Sequence, residues 1–279
     1  TTLFRSLDVV RRRPDGYHEV DMIMQMVDLC DTVTLEKTEE PGIRLSMSCP
    51  GVPENEENIA WRAARSLFDT CGTPEMGVYI HIEKHIPIAA GMAGGSTDCA
   101  AVLMGINELF SLGLSQKELE LRGKALGADV PYCIRRGTAR ARGIGEKLTA
   151  LPPVKAFPIL IAKPGIGVST KAVYQGLSLS EETVHPDIDA LENAVRQGDL
   201  ERMAPLMATL LETVTIPMHP VIAELKSLMK EAGAKVSLMS GSGPTVFGLF
   251  ADEEAMKNAE EAVARSGLAE QIHGTRLLS

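Results

Sequence analysis

The chain has 279 residues, 44% of them hydrophobic, and a formal net charge of −9 with a pI near 5.3, which is typical of an acidic globular protein of about two domains. This negative charge excludes a basic nucleic-acid-binding surface and a polybasic membrane patch. No apolar run approaches the roughly 20 residues that cross a bilayer, and the first residues do not resemble a signal peptide. The five cysteines lack Cys-x-x-Cys spacing, which indicates reduced thiols in a cytoplasmic protein without a zinc site or a disulfide frame.

The first part of the chain predicts several short strands, one helix and a turn. Pro14-Asp15-Gly16 has strong turn chemistry between two strand-like runs. Residues 57–70 have the periodicity of an amphipathic helix. The expected strands cover residues 3–10, 20–29, 31–36, 43–48 and 78–83.

A run of small residues follows, Pro87-Ile-Ala-Ala-Gly-Met-Ala-Gly-Gly-Ser-Thr97, and leads into a helix expected over residues 97–110. Its glycines can adopt positive φ without a steric penalty and let backbone N–H groups approach an anion. Ser96 or Thr97 is expected to cap the helix, whose positive dipole end would face the same anion. The spacing matches neither the Walker motif nor the dinucleotide fingerprint, and by itself the run fits a tight connector equally well.

The remainder of the chain predicts an α+β arrangement. The capping box Ser115-Gln-Lys-Glu118 opens a helix that ends at Gly127, after which a short exit is expected. Leu151-Pro-Pro-Val-Lys155 is the expected boundary between domains 1–150 and 151–279. A strand and a turn are expected over 138–148, further strands over 157–162, 235–239 and 245–250, helices over 188–214, 220–232 and 253–266, and a Gly-rich loop over 240–244. This order favours antiparallel strands packed against helices.

Three separated motifs resemble those of the GHMP small-molecule kinases in order and spacing: residues 87–97, Gly127-Ala-Asp-Val-Pro131 and Met239-Ser-Gly-Ser-Gly-Pro-Thr-Val-Phe247. Arg13-Pro-Asp-Gly-Tyr-His18, with Gln25 and Asp28 downstream, resembles the members that act on a cytidylyl diphosphate of methylerythritol. The resemblance extends from about Leu7 to beyond Phe250. It implies an α+β, two-domain GHMP kinase fold, with a ribosomal protein S5 domain 2-like N-terminal, ATP-binding domain (1–150) and a ferredoxin-like C-terminal domain (151–279).

The resemblance also implies a reaction and its partners. The γ-phosphoryl group of ATP would pass to the 2-hydroxyl of the methylerythritol unit of a small-molecule cytidylyl diphosphate substrate, with Mg²⁺ as the metal cofactor. No nucleic-acid or membrane partner is expected, and the protein would be a monomer or a weak homodimer. Asp129 would be the catalytic carboxylate, because a hydroxyl nucleophile needs a neighbour that accepts or orients its proton. Without the resemblance, an Asp after Gly-Ala is more often the cap of a turn.

The resemblance assigns the nucleotide mainly to the first Gly-rich run, with Ser96 also a ligand of Mg²⁺. The implied nucleotide-binding residues are Pro87, Gly91, Ala93, Gly94, Gly95, Ser96, Thr97, Asn58 and Lys84. Asn58 and Lys84 match positions near the adenosine end, although solvated surface roles remain open for both. Ala93 stands where the family has glycine, which is tolerable if its φ is negative and strained otherwise.

The resemblance assigns the substrate to aromatic rings and to the second Gly-rich loop. The implied substrate-binding residues are Tyr17, His18, Thr170, Tyr174, Gly241, Ser242 and Gly243. Tyr17 and Tyr174 would stack on the two faces of the cytosine, and His18 would hydrogen-bond to its edge. The alternatives are core packing for the rings and a plain hairpin connector for the loop.

The N-terminal residues depart from the family pattern. Thr2 and Phe4 stand where the family has Lys and Asn, so the cation expected beside Asp129 is missing. Loss of such a charge-stabilising donor can lower the rate about 10²–10³-fold. Three explanations remain open: an altered or incomplete N-terminal sequence, which we favour because residues 7–10 rejoin the pattern abruptly, a variant of low activity, or another cation in its place. Neither Thr2 nor Phe4 is therefore assigned a catalytic role.

Other functions remain as alternatives. A GHMP kinase that acts on homoserine or mevalonate would have no base to stack on Tyr17 and Tyr174. A nucleotide-binding regulator would bind ATP and release no ADP, and the presence of Asp129 argues against it. An interaction module without enzymatic activity would leave both Gly-rich segments unexplained.

Overall fold

The structure, a computed structural model, describes residues 1–71 and 75–278, and of Phe4 and Arg5 it describes the backbone alone. Its strands are β1 (Thr2–Arg12), β2 (His18–Met26), β3 (Thr32–Thr38), β4 (Gly42–Met47), β5 (Gly77–Glu83), β6 (Thr138–Gly143), β7 (Lys147–Leu151), β8 (Pro158–Lys163), β9 (Val236–Met239), β10 (Val246–Leu249) and β11 (Gln271–Arg276). Its α-helices are α1 (Ile59–Thr70), α2 (Gly94–Leu109), α3 (Gln116–Leu126), α4 (Val130–Arg135), α5 (Thr170–Gly176), α6 (Ile188–Gln197), α7 (Leu200–Met203), α8 (Glu212–Met218), α9 (Val221–Glu231) and α10 (Glu253–Ser266).

The described residues form two compact units. The first unit contains Cys30–Ile86 and Ala93–Arg136 together with Thr1, and the second contains Thr2–Leu29, Pro87–Met92 and the residues from Gly137 onward. The first Gly-rich run is therefore divided between the two units after Met92. The division into domains 1–150 and 151–279, expected at the Pro-rich segment 151–155, stays a prediction.

The first unit is built on a three-stranded sheet in the order β3-β5-β4, in which β3 pairs with β5 antiparallel and β4 pairs with β5 parallel. Helices α1 and α2 pack against each other and against the sheet, and α4 packs against α2 and α3. Gly105 lets α2 approach β3 closely, because a Cβ at that position would overlap the Leu35 side chain. The packed faces bury Leu67, Ile80 and Leu103 completely, so this unit has its own apolar core.

The second unit contains two antiparallel sheets, in the strand orders β1-β2-β6-β7 and β11-β8-β10-β9. Helix α9 packs against β9 and β10, α10 packs against β8 and β11, and α6 packs against β2 and β7. Buried Arg140 on β6 holds α6 by ion pairs with Asp21 at 2.5 Å, Asp189 at 2.5 Å and Glu192 at 2.9 Å. The hydrogen bonds that Arg140 donates to Asp21 are the largest of the effects that raise the pKa of Arg140, so the guanidinium stays charged.

Most predicted elements occur within a few residues of the expected bounds, and α10 covers the predicted range 253–266. The range 188–214, expected to be helical, is interrupted: Gly198 ends α6 with a φ of 67°, Asp199 caps the short helix α7, a 3-10 turn covers Ala204–Leu206, and α8 begins only at Glu212. The exit expected after Gly127 is helix α4, which a proline in its first turn helps to start. Helix α5 and strand β11 have no counterpart among the predicted elements.

Candidate nucleotide and substrate site

Helix α2 begins at Gly94, three residues earlier than expected, and its first turn is open. Ala93, the residue before it, has no capping side chain, and its carbonyl oxygen already accepts the N–H of Thr97 at 2.9 Å. The predicted caps are therefore wrong: the Thr97 hydroxyl donates to the same carbonyl oxygen at 3.0 Å, and Ser96 caps nothing. Within the described residues, the N–H groups of Gly94, Gly95 and Ser96 have no acceptor. Open N–H groups at the start of a helix favour an anion, so binding of the nucleotide phosphates here stays a prediction.

Two alanines of this run carry backbone strain. Ala93 has a φ of 53° and Ala89 a φ of 51°, a region that favours glycine. The condition for an unstrained Ala93, a negative φ, is not met. Each left-handed alanine costs roughly 1–2 kcal/mol, and strain of this kind is concentrated at functional sites.

Asp129 lies on the turn between α3 and α4 with its carboxylate free of hydrogen bonds from the described residues. It occupies the N-cap position of α4 but makes no capping bond, and its backbone carbonyl oxygen accepts the N–H of Cys133 at 3.1 Å. The alternative role as a turn cap is therefore wrong. Burial raises the pKa of the Asp129 carboxyl to about 6. It is thus mostly ionised at neutral pH and a better proton acceptor than an ordinary carboxylate.

The first turn of α2 lies beside the turn that carries Asp129. A Cβ built at Gly127 would lie 3.7 Å from Ser96 Oγ, and Thr97 Oγ1 is 3.7 Å from Cys133 Sγ. Burial raises the pKa of the Cys133 thiol to about 12, so this group packs without reacting. The first unit thus brings Ser96, Thr97 and the Asp129 turn together.

Asn58 and Lys84, expected near the adenosine end, both have engaged polar groups. Asn58 caps α1: its Oδ1 accepts the Ala60 N–H at 2.9 Å, and its Nδ2 donates to the Pro53 carbonyl oxygen at 2.8 Å. The Lys84 ammonium lies between two carboxylates, those of Asp31 and Asp98. Direct contact of Asn58 or Lys84 with a nucleotide stays a prediction.

The surroundings of Lys84 contain more negative than positive charge. Burial lowers the pKa of Lys84, but the attraction of Asp98 and the hydrogen bonds to both carboxylates outweigh it, so the net pKa is raised. Burial also raises the pKa of Asp98 to about 7, with Asp31 adding to the effect and Lys84 offsetting part of it. Lys84 therefore stays protonated, whereas the ionised form of Asp98 is disfavoured.

In the second unit, Gly91 packs against the second Gly-rich loop, residues 240–244. The Ser240 hydroxyl donates to the Gly91 carbonyl oxygen at 2.8 Å. A Cβ at Gly91 would overlap the Ser240 carbonyl oxygen and lie 3.0 Å from the Gly243 carbonyl oxygen, and its φ is 69°. Only glycine fits this contact. Pro87, at the start of the same run, is buried.

The second Gly-rich loop is buried and bonded to its neighbours. Thr170 Oγ1 and Ser242 Oγ are 2.8 Å apart, and the Ser242 carbonyl oxygen accepts the Thr215 hydroxyl at 3.2 Å. Gly243 donates its N–H to the Ser240 carbonyl oxygen at 2.9 Å, so this N–H is not open to a ligand. The loop is thereby tied to α5 and α8. Substrate contacts from Thr170, Gly241, Ser242 and Gly243 stay predictions.

His18 and Tyr174 form an aromatic pair in the second unit. Their ring centroids are 5.2 Å apart and the planes are inclined by 40°. Burial lowers the pKa of His18, with Arg12 adding to the effect, so the ring is neutral at pH 7. Tyr17 is 61% exposed, and its stacking opposite Tyr174 stays a prediction.

The position of the missing family lysine is occupied by a buried threonine. The Thr2 hydroxyl lies 3.4 Å from Met26 Sδ, which gives it a packing role in the second unit. The side chain of Phe4, the other departure from the family pattern, lies outside the described residues.

Within the described residues, no group of three or more His, Cys, Asp or Glu side chains is arranged to hold a metal ion. Mg²⁺ commonly takes only one or two protein oxygens together with phosphates and water, so the unbonded Ser96 hydroxyl fits such an ion. In the same part of the chain, no helix combines the length and hydropathy of a membrane span.

Ala89, Asp31 and Asp98 have features that the sequence patterns do not predict. The positive φ of Ala89 has no signal, because alanine ordinarily favours negative φ. Asp31 and Asp98 are far apart along the chain, and no spacing rule indicates that both contact Lys84.

Comparison with known proteins gives consistent results. Two family models match the sequence, "GHMP kinases N terminal domain" over residues 58–137 and "GHMP kinases C terminal" over residues 189–269. A protein of Alkaliphilus metalliredigens named 4-diphosphocytidyl-2-C-methyl-D-erythritol kinase is 49% identical over 268 residues, covering 96% of this chain and 91% of its own length. A protein of the same name from Lachnoclostridium phytofermentans is 48% identical over 254 residues, covering 91% and 87%. A crystal structure of 4-(cytidine 5'-diphospho)-2C-methyl-D-erythritol kinase superposes with a TM-score of 0.85 at 30% identity, covering 100% of this chain and 97% of that one.

Proposed function

Because the chain belongs to the GHMP kinases, we propose that it transfers the γ-phosphoryl group of ATP to the 2-hydroxyl of 4-diphosphocytidyl-2-C-methyl-D-erythritol, in the non-mevalonate route to isoprenoids. The expected α+β GHMP kinase fold is confirmed by the family matches and by the structural superposition. The observation that carries the choice of acceptor is the 48–49% identity, over at least 91% of the chain, with relatives of that name.

The open first turn of α2 supports binding of the ATP phosphates. Three N–H groups, from Gly94, Gly95 and Ser96, have no acceptor among the described residues and lie at the start of a helix whose dipole favours negative charge. Catalysis of phosphoryl transfer rests mainly on positioning and on charge stabilisation, and a rigid helix end supplies both. Pro87, Gly91, Ala93 and Thr97 would shape this end of the site.

Asp129 would serve the acceptor hydroxyl. Its carboxylate is mostly ionised at neutral pH, has no hydrogen bond to break within the described residues, and lies on the turn beside Ser96. It would accept or orient the proton of the 2-hydroxyl while the hydroxyl oxygen attacks the γ-phosphorus and ADP leaves.

Mg²⁺ fits the proposed site through Ser96. The Ser96 hydroxyl would hold the ion together with phosphate oxygens of the nucleotide. When bound, Mg²⁺ neutralises negative charge on the phosphates.

The acceptor would be recognised by its base. The His18–Tyr174 pair offers a ring face and a neutral imidazole within one unit, which suits a pyrimidine better than an aliphatic acid such as mevalonate or homoserine. Tyr17 would add the second face. Thr170 and the loop 241–243 would line the same subsite, because Thr170 lies on α5 one turn before Tyr174 and shares a hydrogen bond with Ser242.

The proposed reaction is tested by ADP release. Purified protein with Mg²⁺ and ATP is supplied in turn with 4-diphosphocytidyl-2-C-methyl-D-erythritol, mevalonate and homoserine. We expect turnover with the cytidylyl substrate alone. Turnover with mevalonate or homoserine instead would contradict the proposed acceptor, and ATP binding without ADP release would favour the nucleotide-binding regulator.

A cytoplasmic location and a monomeric or weakly dimeric state complete the proposal, and size-exclusion chromatography tests the oligomeric state.

A further inference from the structure

Three buried charged side chains join the two ends of the first Gly-rich run. Asp31 Oδ1 accepts the N–H groups of His85 at 2.6 Å and Ile86 at 2.8 Å, at the entrance to the run. The Lys84 ammonium donates to Asp31 Oδ2 at 2.5 Å and to Asp98 Oδ2 at 2.8 Å. Asp98 belongs to α2, beyond the other end of the run. The lysine–dicarboxylate cluster, formed by Lys84, Asp31 and Asp98, therefore holds the run at its base.

The cluster also contacts the first turn of α2. Lys84 Nζ would lie 3.6 Å from a Cβ at Gly94, and Ile86 Cγ2 would lie 3.0 Å from the same point. Gly94 provides one of the three open N–H groups. A shift of the Lys84 ammonium would therefore change the packing of the helix end at which the phosphates are proposed to bind.

The cluster is poorly suited to increase the stability of the fold. The side chains of Lys84, Asp31 and Asp98 are only 7%, 1% and 7% exposed, and one ammonium serves two carboxylates. Within the described residues, Asp98 Oδ1 is buried without a hydrogen-bond partner. Incompletely paired buried charges oppose folding, and apolar replacements of similar volume are often at least as stable.

The neighbouring backbone supplies a reason to retain the cluster. Ala89 and Ala93 are held at positive φ, and strained residues keep such conformations only when the surrounding structure constrains them. A run with two strained alanines would relax if its base were loose. The N–H groups of α2 would then lose their fixed arrangement.

We propose that Lys84, Asp31 and Asp98 are positioning residues for ATP, which hold the first Gly-rich run and the first turn of α2 in the conformation that accepts the phosphates. The inference rests on the proposed function and deepens it. It gives the Lys84 side chain a role through the backbone, whether or not Lys84 also approaches the adenosine.

Four variants separate positioning from general stability. Lys84→Met removes the ammonium, Asp98→Ala removes one tether and leaves the Lys84–Asp31 pair, and Asp98→Asn keeps an oxygen that accepts from Lys84. Arg140→Met is the matched control, because Arg140 is also 7% exposed and also bonds several carboxylates, but it belongs to neither Gly-rich segment. Each variant is assayed for the Kd of a non-hydrolysable ATP analogue by calorimetry, and for kcat and both KM values.

We expect Lys84→Met and Asp98→Ala to raise the Kd of the analogue and the KM for ATP at least tenfold, with the KM for the acceptor changed less than threefold. Asp98→Asn should bind the analogue with a Kd within threefold of that of the parent protein. Arg140→Met should lower the Tm and leave the Kd within twofold. Hydrogen exchange should accelerate at the His85 and Ile86 amides in Lys84→Met and remain unchanged in α10.

The inference is overturned if folded Lys84→Met and Asp98→Ala both bind the analogue within twofold of the parent, or if Arg140→Met weakens binding as much as they do. Should Lys84→Met fail to fold, Asp98→Ala decides the question alone. Failure of the proposed function has a different signature: the parent protein itself would show no turnover with the cytidylyl substrate, although the effects on nucleotide binding could still be measured.

Discussion

The two compact units contribute chemically different groups to the proposed activity. The first unit supplies open N–H groups at the start of α2, the carboxylate of Asp129 and the lysine–dicarboxylate cluster. The second unit supplies an aromatic pair, His18 and Tyr174, and paired hydroxyls on Thr170 and Ser242. Phosphoryl transfer would thus depend on electrostatics in one unit, and base recognition on stacking and neutral hydrogen bonds in the other. Variants in the two units should therefore change different kinetic constants.

The two Gly-rich segments differ in a related way. The first presents exposed Gly95 and open N–H groups, and it places alanines at positive φ. The second is buried, places glycines at positive φ, and has hydroxyls bonded to neighbouring helices. The two segments have similar compositions but different structures: the first has open N–H groups that suit an anion, and the second is packed against neighbouring helices.

The largest effect is expected at Asp129. Asp129→Asn keeps the shape and removes the proton acceptor, so kcat should fall about 10²–10⁴-fold with both KM values changed less than threefold. Steady-state kinetics checks this, and circular dichroism controls for folding. A large rise in the KM for the acceptor with normal kcat would contradict the separation between the units.

The same carboxylate predicts a pH profile. Its pKa is raised to about 6 by burial, and only the ionised form accepts a proton, so kcat/KM for the acceptor should rise roughly tenfold per pH unit up to about pH 6 and then level off. The effect on stability has the opposite sign: the folded state holds this proton more tightly than the unfolded chain, so the contribution of Asp129 to stability falls as pH rises from 3.8, the ordinary pKa of an aspartate, to about 6. A profile of kcat/KM that is flat between pH 5 and 7 would contradict the role of Asp129 as the proton acceptor.

Gly91→Ala should disturb the contact between Gly91 and the second Gly-rich loop, which lies within the second unit. Its Cβ would overlap the Ser240 carbonyl oxygen, and overpacking of this kind costs about 1–3 kcal/mol in addition to the strain of a positive φ. We expect a lower Tm and a rise in both KM values. Gly198→Ala is the matched control, since its φ is 67° but a Cβ there meets nothing within 4 Å. Equal effects of the two variants would contradict a role for the Gly91 contact.

Tyr174→Leu should affect the acceptor alone. Loss of stacking on one base costs about 1–3 kcal/mol, or roughly 5- to 150-fold in the KM for the cytidylyl substrate, with the KM for ATP unchanged. Tyr17→Leu, measured in parallel, shows whether exposed Tyr17 provides the second face of the stack. An unchanged KM for the acceptor in both variants would contradict a role of Tyr17 and Tyr174 in binding the cytosine.

The smallest effect is expected for Ala93→Gly. Glycine relieves the strain at a φ of 53°, so the protein should gain about 1 kcal/mol, or roughly 2–4 °C in Tm. Differential scanning calorimetry measures the shift. A lower Tm would show that the flexibility of glycine in the unfolded chain outweighs the strain.

Local signals in the sequence predict local structure well. The capping box at Ser115 and Glu118 and the bounds of α10 are correct, because each depends on residues within one or two turns. Gly198 breaks a long predicted helix because a single left-handed residue outweighs the surrounding periodicity. The motif resemblance predicts the fold and the family. It also indicates Asp129, whose side chain makes no capping hydrogen bond at the start of α4.

Features that depend on tertiary contacts are not predictable in this way. The positive φ of Ala93 has no signal in its own side chain, and the start of α2 depends on a carbonyl oxygen rather than on a Ser or Thr cap. The contacts of Lys84 with Asp31 and Asp98 join residues that no period connects. The structure supplies these, and with them the geometry on which the positioning proposal rests.

The most direct test of the separation between the units is a parallel kinetic analysis of Asp129→Asn and Tyr174→Leu with ATP and 4-diphosphocytidyl-2-C-methyl-D-erythritol. We predict that Asp129→Asn loses kcat with nearly normal KM values, whereas Tyr174→Leu raises the KM for the acceptor with the KM for ATP unchanged. If both variants changed the same constant by similar factors, the assignment of chemistry to one unit and base recognition to the other would be wrong.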